Sequence, residues 1–150
     1  MEDTAGALTY PDTLYSPGPA VDLGDAREQA RLSGPALKAF FRVMEAWGVR
    51  DREAKRLLGG VSNGRFYALK RDAGARTLSV DELTRVSLVV GIYKALHILY
   101  DETLADRWMG LPNKNRLFGG RPALDYAAEG GIAGLILVRR LLDARRGFLA

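Results

Sequence analysis

Two stretches of this 150-residue chain hold side chains whose types and spacing can do chemistry. In VSNGRFYALKRD, residues 61–72, the polar members Ser62, Asn63, Arg65, Lys70 and Arg71 surround Phe66 and Leu69 at helical spacing. A helix of that pattern buries Phe66 and Leu69 and offers the rest to a polyanion, as donors to base edges and as charges for phosphates. In WMGLPNKNRLFGGR, residues 108–121, an aromatic, a Pro-Asn pair, three basic residues and a double glycine share one connector. Such a segment either cradles a ligand or shapes a surface for another protein. Gly119–Gly120 lacks the further glycines of a dinucleotide fingerprint and the Gly-Lys-Ser/Thr ending of a P-loop. The carboxylate pair Asp101–Glu102 stands at an expected helix start, where the dipole favours acids without any catalytic role. With no cysteine and one histidine, His97, neither thiol chemistry nor a metal site is expected. No enzyme activity and no cofactor are expected, and the connector reads as a shaped surface anchored by Trp108.

The elements that must position these residues are all helical. SGPALKAFFRVMEAWG begins a helix with Pro35 at its first position and carries Leu37, Phe40, Phe41, Met44 and Trp47 on one face. Gly48 is expected to close it in a left-handed cap. A second helix starts near Asp51, turns Ala54, Leu57 and Leu58 inward, and ends at Gly59–Gly60. Ser62 caps a third. A short helix, a glycine-bearing turn and a basic helix form a helix-turn-helix pattern. Gly64, near the start of the third helix, costs ~1 kcal/mol against alanine and is expected to admit another backbone at close range.

Ser79 and Glu82 form a capping box and open a helix that reaches Tyr100, about 30 Å long at 1.5 Å per residue. Its two adjoining stripes are Leu83, Val86, Val90, Tyr93 and His97, and Val89, Ile92, Leu96 and Leu99. They bury more than half its circumference, as a central pillar or as part of a dimer interface, with His97 a structural residue. A helical DETLADRWMG, the connector, a short helix after Pro122 and a last helix with Ile132, Leu135, Ile136, Val138 and Leu142 inward complete the chain. No stretch shows strand alternation. The expected fold class is all-α.

Charge is unevenly spread. Residues 1–30 hold one basic and six acidic side chains, residues 31–100 thirteen and six, and residues 101–150 eight and six. An acidic arm with three of the six prolines therefore precedes a basic middle, which suits a polyanion partner. The arm, 1–30, keeps no steady apolar period and is expected to be mostly flexible. The start MEDTAGALTY lacks the basic segment and apolar run of a signal peptide, and no window reaches the ~18 apolar residues of a membrane span. A cytoplasmic location is expected.

Several motifs together resemble a known family. In the first half they are LLGGVS at 57–62, LS at 78–79 and GIYKALHILY at 91–100. In the second half they are Trp108, LPN at 111–113, LFGGRPALDY at 117–126, EGGI at 129–132 and VRRLLDARRG ending at Gly147. From about Pro35 to Gly147 the chain is similar to the Xre-type antitoxins of bacterial toxin–antitoxin pairs, whose C-terminal part is the Xre/MbcA/ParS toxin-binding domain. It departs at Leu69, where a tryptophan is common among relatives.

The resemblance implies a helix-turn-helix domain over 31–100 followed by a small helical toxin-binding domain over 101–150. It implies an antitoxin that binds a RES-domain toxin, a class that destroys NAD, and that represses its own operon, alone or with the toxin. A homodimer is expected separately, from the apolar surface of helix 79–100 and the paired half-sites of such DNA readers. On this reading Ser62, Asn63, Arg65, Lys70 and Arg71 face operator DNA. Asn113, Lys114, Arg116 and Arg121 of the connector face the toxin, with Arg145, Arg146, Phe148 and Leu149 of the tail. Gly147 is expected to end the last helix in a left-handed turn. Phe148 and Leu149 then either fold back toward Leu141 or Leu142, or enter the toxin's NAD cleft. The alternative function is a stand-alone dimeric transcriptional repressor, and the neighbouring gene separates the two.

Overall fold

The computed structural model describes residues 21–149, with side chains as far as Gly147. Within that span the chain forms six helices: α1 (Ala26–Trp47), α2 (Asp51–Leu57), α3 (Asn63–Arg71), α4 (Val80–Leu99), α5 (Glu102–Arg107) and α6 (Ala123–Leu149). The only strand-like pairing among the described residues is an isolated bridge between Pro112 and Pro122. The fold is all-α, as expected. None of these helices is long and apolar enough to cross a membrane.

The start of α1 differs from the expectation. Asp25 caps the helix, its carboxylate accepting from the backbone N–H of Arg27 at 2.8 Å, and Glu28 adds an acid to the first turn. The helix therefore begins at Ala26, and Pro35 lies inside it rather than at its first position. Residues 26–30, read as part of the arm, belong to α1. The C-terminal expectation holds: Gly48 adopts φ 64°, ψ 34°, and its N–H reaches Glu45 O at 3.1 Å.

α4 is the pillar. It packs on α1 from one side and on α6 from the other, and touches α5 near its end. Val86, Val89, Ile92, Ala95 and Leu96 are buried along it. The capping box forms in full: Ser79 Oγ accepts from Glu82 N at 3.1 Å, and Glu82 Oε1 accepts from Ser79 N at 2.9 Å. His97 is structural as expected. Its Nδ1 lies 2.9 Å from Tyr93 O, and its Nε2 comes within 3.1 Å of Asp106 Oδ1 where α4 meets α5, outside hydrogen-bond geometry.

A buried hydroxyl joins α1 to the segment before α4. Ser33 Oγ donates to Gln29 O and accepts from Leu78 N at 2.7 Å, with both residues out of solvent. α6 is bent at Gly131, whose φ 63° and ψ −148° only glycine adopts without strain. At the other end, Gly147 does not form the expected left-handed cap, and the helix continues to Leu149. Glycine permits that turn without demanding it.

Candidate functional site

α2 and α3 place the first set of candidates. α2 ends where Gly59 and Gly60 turn left-handed, with Gly60 N bonded to Lys55 O at 2.9 Å. Ser62 then caps α3 through Arg65 N at 3.2 Å. Phe66 and Leu69 anchor α3 in the core, so Asn63, Tyr67, Lys70 and Arg71 are left on its exposed side. The departure at Leu69 is a core matter, because that side chain is fully buried.

Arg65 does not join them. Its guanidinium makes two bonds to Glu82, Nη2 to Oε1 at 2.6 Å and Nε to Oε2 at 2.9 Å, and a third to Thr77 O at 3.3 Å. Burial by itself pushes the Glu82 carboxyl up. Hydrogen bonds from Arg65 and from the Ser79 N–H, with the Arg65 charge, outweigh that and hold it below the ordinary value. The expectation that Arg65 is free for DNA is corrected: it is the clamp between α3 and the start of α4. Its spacing on the helix was right, but Glu82 lies seventeen positions on, beyond any local pattern.

The outer face also gains residues that the sequence reading missed. Tyr67 is 47% exposed, and its hydroxyl donates to Asp51 Oδ2 at 3.2 Å. Lys70 Nζ donates to Asp51 Oδ1 at 3.1 Å, and that bond, with the lysine charge, holds Asp51 below the ordinary carboxylate value. Lys55 of α2 donates to Asn63 Oδ1 at 2.6 Å and sits 5.5 Å above the Tyr67 ring. Arg71 has no ion-pair partner among the described residues. Gly64 lies on this face too. The expected close backbone is absent among the described residues, since a side chain there would meet nothing within 4 Å.

The connector is tied to itself. Asn113 Oδ1 accepts from Asn115 N at 3.0 Å, and Asn115 Oδ1 from Leu117 N at 2.9 Å. Gly120 N donates to Asn113 O at 3.0 Å across the turn, which Gly119 and Gly120 make with φ 61° and 88°. Phe118 is buried edge-on between Trp108, at 6.2 Å, and Tyr126, at 5.5 Å. Of the polar candidates, Asn113 therefore shapes the turn, while Lys114 and Arg116 point to solvent. Arg121 pairs with Glu129 at 2.6 Å and with Asp125 at 3.8 Å.

The tail candidates divide as well. Arg145 lies over the Trp108 ring at 5.8 Å and donates to Tyr100 OH at 2.9 Å, so it fixes α6 on the turn that opens the connector. The expectation of a free Arg145 is corrected. Arg146 stays half-exposed, 3.9 Å from Asp143. The side chains of Phe148 and Leu149 lie outside the described residues. Ile132 and Ile136, expected inward, are only half-buried, and Leu137 is 39% exposed. With Tyr126, Gly130 and Ala133, Leu137 lines a shallow groove at the bend of α6. Periodicity missed this groove because the Gly131 bend shifts which positions share a face.

The two halves are not separate bodies. Arg85 of α4 donates to Asp81 at 2.8 Å, and its guanidinium fills the space beside both Gly59 of the α2–α3 turn and Gly131 of the α6 bend. α2 packs against α6.

Comparison with known proteins agrees with this layout. Residues 26–91 match the model of the antitoxin Xre-like helix-turn-helix domain, and residues 94–147 that of the antitoxin Xre/MbcA/ParS C-terminal toxin-binding domain. The chain is 38% identical over 112 residues to the uncharacterized protein y4oB of Sinorhizobium fredii, which covers 74% of this chain and 84% of that protein. No solved structure matches it. The two matches meet inside α4, so one helix serves both halves.

Proposed function

The chain belongs to the Xre-type antitoxins, with a helix-turn-helix domain followed by a toxin-binding domain, and from that premise we propose that it neutralises a RES-domain toxin and represses its own operon. The observation that carries the reading is the pair of family matches in one chain, joined through α4. In this reading the exposed side of α3 enters the major groove, Arg71 meets phosphates, and Asn63 and Tyr67 reach base edges. The toxin rests on the second half, over Lys114, Arg116, Arg146 and the groove at the bend of α6. The protein acts by binding, in the cytoplasm where operator and NAD are found, and catalyses nothing itself.

We propose also that it works as a homodimer. An apolar trough follows the seam of α1 and α4, lined by Leu32, Pro35, Ala36, Ala39, Leu83 and Val90. A second copy would cover that trough, and readers of this type commonly bind paired half-sites as dimers.

Co-expression with the RES-domain product of the neighbouring gene tests the central claim. Cells making the toxin alone should lose NAD and stop growing, and the antitoxin should restore both while co-purifying with the toxin. Continued NAD loss with both proteins present, or the lack of any such neighbour, removes the neutralisation reading and leaves a stand-alone repressor. Deleting residues 148–150 then addresses the tail. NAD protection lost at unchanged melting temperature makes the tail a toxin contact; stability lost with protection intact makes it a local staple.

A further inference from the structure

A carboxylate stands beside the cations of α3. Asp51, the first residue of α2, is part-exposed, and it holds both Lys70 and the Tyr67 hydroxyl of α3. Around it, Lys55 is taken up by Asn63 and Arg65 by Glu82. Of the three cations on α3, Arg71 alone has no acceptor among the described residues, while Arg52 and Arg56 of α2 have none either. On α3 itself, two of the three cations are already paired with carboxylates of the chain.

We propose that Asp51 sets DNA specificity: it keeps Lys70 off phosphates and fixes Tyr67, and so depresses binding to arbitrary sequences more than binding to the operator. The proposal rests on the reading of α3 as the DNA reader. Binding to DNA of arbitrary sequence comes almost wholly from cations that displace counterions, so each cation withheld removes about 0.9 from the salt slope. Operator binding adds base contacts, which depend on where side chains point rather than on net charge. One carboxylate acts on both terms. It engages a lysine, which weakens arbitrary binding, and it holds the ring and hydroxyl of Tyr67 in one orientation, which favours a docked pose. A phosphate approaching Lys70 has to displace Asp51 or share the lysine with it.

The test compares wild type with Asp51→Asn, Asp51→Glu, Lys70→Ala, Arg71→Ala and the double variant Asp51→Asn/Lys70→Ala. Binding is followed by fluorescence anisotropy over a salt series, on a short mixed-sequence duplex and on the DNA upstream of the protein's own gene. Asp51→Asn should bind the mixed-sequence duplex several-fold more tightly at low salt, with a salt slope steeper by about 0.9. Its preference for the upstream DNA should fall. Asp51→Glu should stay near wild type, and the double variant should return to the affinity of Lys70→Ala. Asp51→Ser serves the same purpose should Asp51→Asn melt early. Unchanged slope and affinity on the mixed-sequence duplex in both neutral variants, while Arg71→Ala weakens binding, overturns the role of Asp51 and leaves α3 as the reader. If Arg71→Ala and Lys70→Ala also bind like wild type, the DNA reading of α3 falls with it.

Discussion

Arg65 and Arg71 are chemically identical, stand six positions apart on α3, and have opposite fates. Arg65 is bound twice to a carboxylate that is almost out of solvent, whereas Arg71 points into water. Removing one partner of a buried pair strands the other, at ~3–5 kcal/mol when both are fully buried. Arg65 is 39% exposed, so Arg65→Ala should cost roughly 2–3 kcal/mol and lower the melting temperature clearly. Arg71→Ala should leave melting nearly unchanged and reduce the DNA salt slope by about 0.9. Equal melting temperatures for the two variants would contradict this assignment.

Glu82 adds a pH signature. Its folded value is lowered, so its contribution is present above the unfolded value and is lost as pH falls through the folded one. Stability of the wild type should therefore drop between the ordinary glutamate value and the lower value it has in the fold. Urea melts over that range should show a flatter profile for Glu82→Gln, which is already weaker at neutral pH.

At the scale of elements, the joints carry the risk. The Gly131 backbone is one that alanine adopts only under strain, and such positions cost about 1–3 kcal/mol. Gly131→Ala should destabilise by that amount, or straighten α6 and disturb the groove where Leu137 lies. Thermal melting and circular dichroism separate the two, and unchanged stability with unchanged helicity would show that the bend is not held by glycine. Ser33→Ala tests the joint of α1 and α4. It leaves the Leu78 N–H buried without an acceptor, a loss of about 1–3 kcal/mol. Ser33→Thr keeps the hydroxyl and should recover part of that loss.

For the whole molecule, α4 makes a single folding unit of two functional halves. Its faces on α1 and α6 are both buried, and Arg85 touches glycines of each half. Unfolding should accordingly be one transition, seen alike by Trp47 on α1 and Trp108 before the connector. Two separated transitions would mean that the halves melt alone. The trough between α1 and α4 predicts the assembly: sedimentation at micromolar concentration should show a dimer. Ala39→Glu should weaken that dimer tenfold or more, about 1.4 kcal/mol, while its circular dichroism stays that of the wild type. A wild type that stays strictly monomeric excludes the dimer.

Local rules in the sequence were enough for much of this. Helix caps at Gly48, Ser62 and Ser79 depend on residues one to four positions apart, and each formed as read. The buried residues of α2 and α3 followed from periodicity for the same reason, as did Leu83, Val86, Val89, Ile92 and Leu96 of α4, whereas Val90, Tyr93, His97 and Leu99 are only half-buried. Family motifs in the connector and last helix identified the class before any geometry was known. What sequence spacing did not decide was which charges are free. Arg65 meets Glu82, Arg145 meets Tyr100 and Trp108, and Lys70 meets Asp51 only because separate helices pack together. A lone helix shows which way a side chain points; only packing against a second helix decides whether an acceptor waits there.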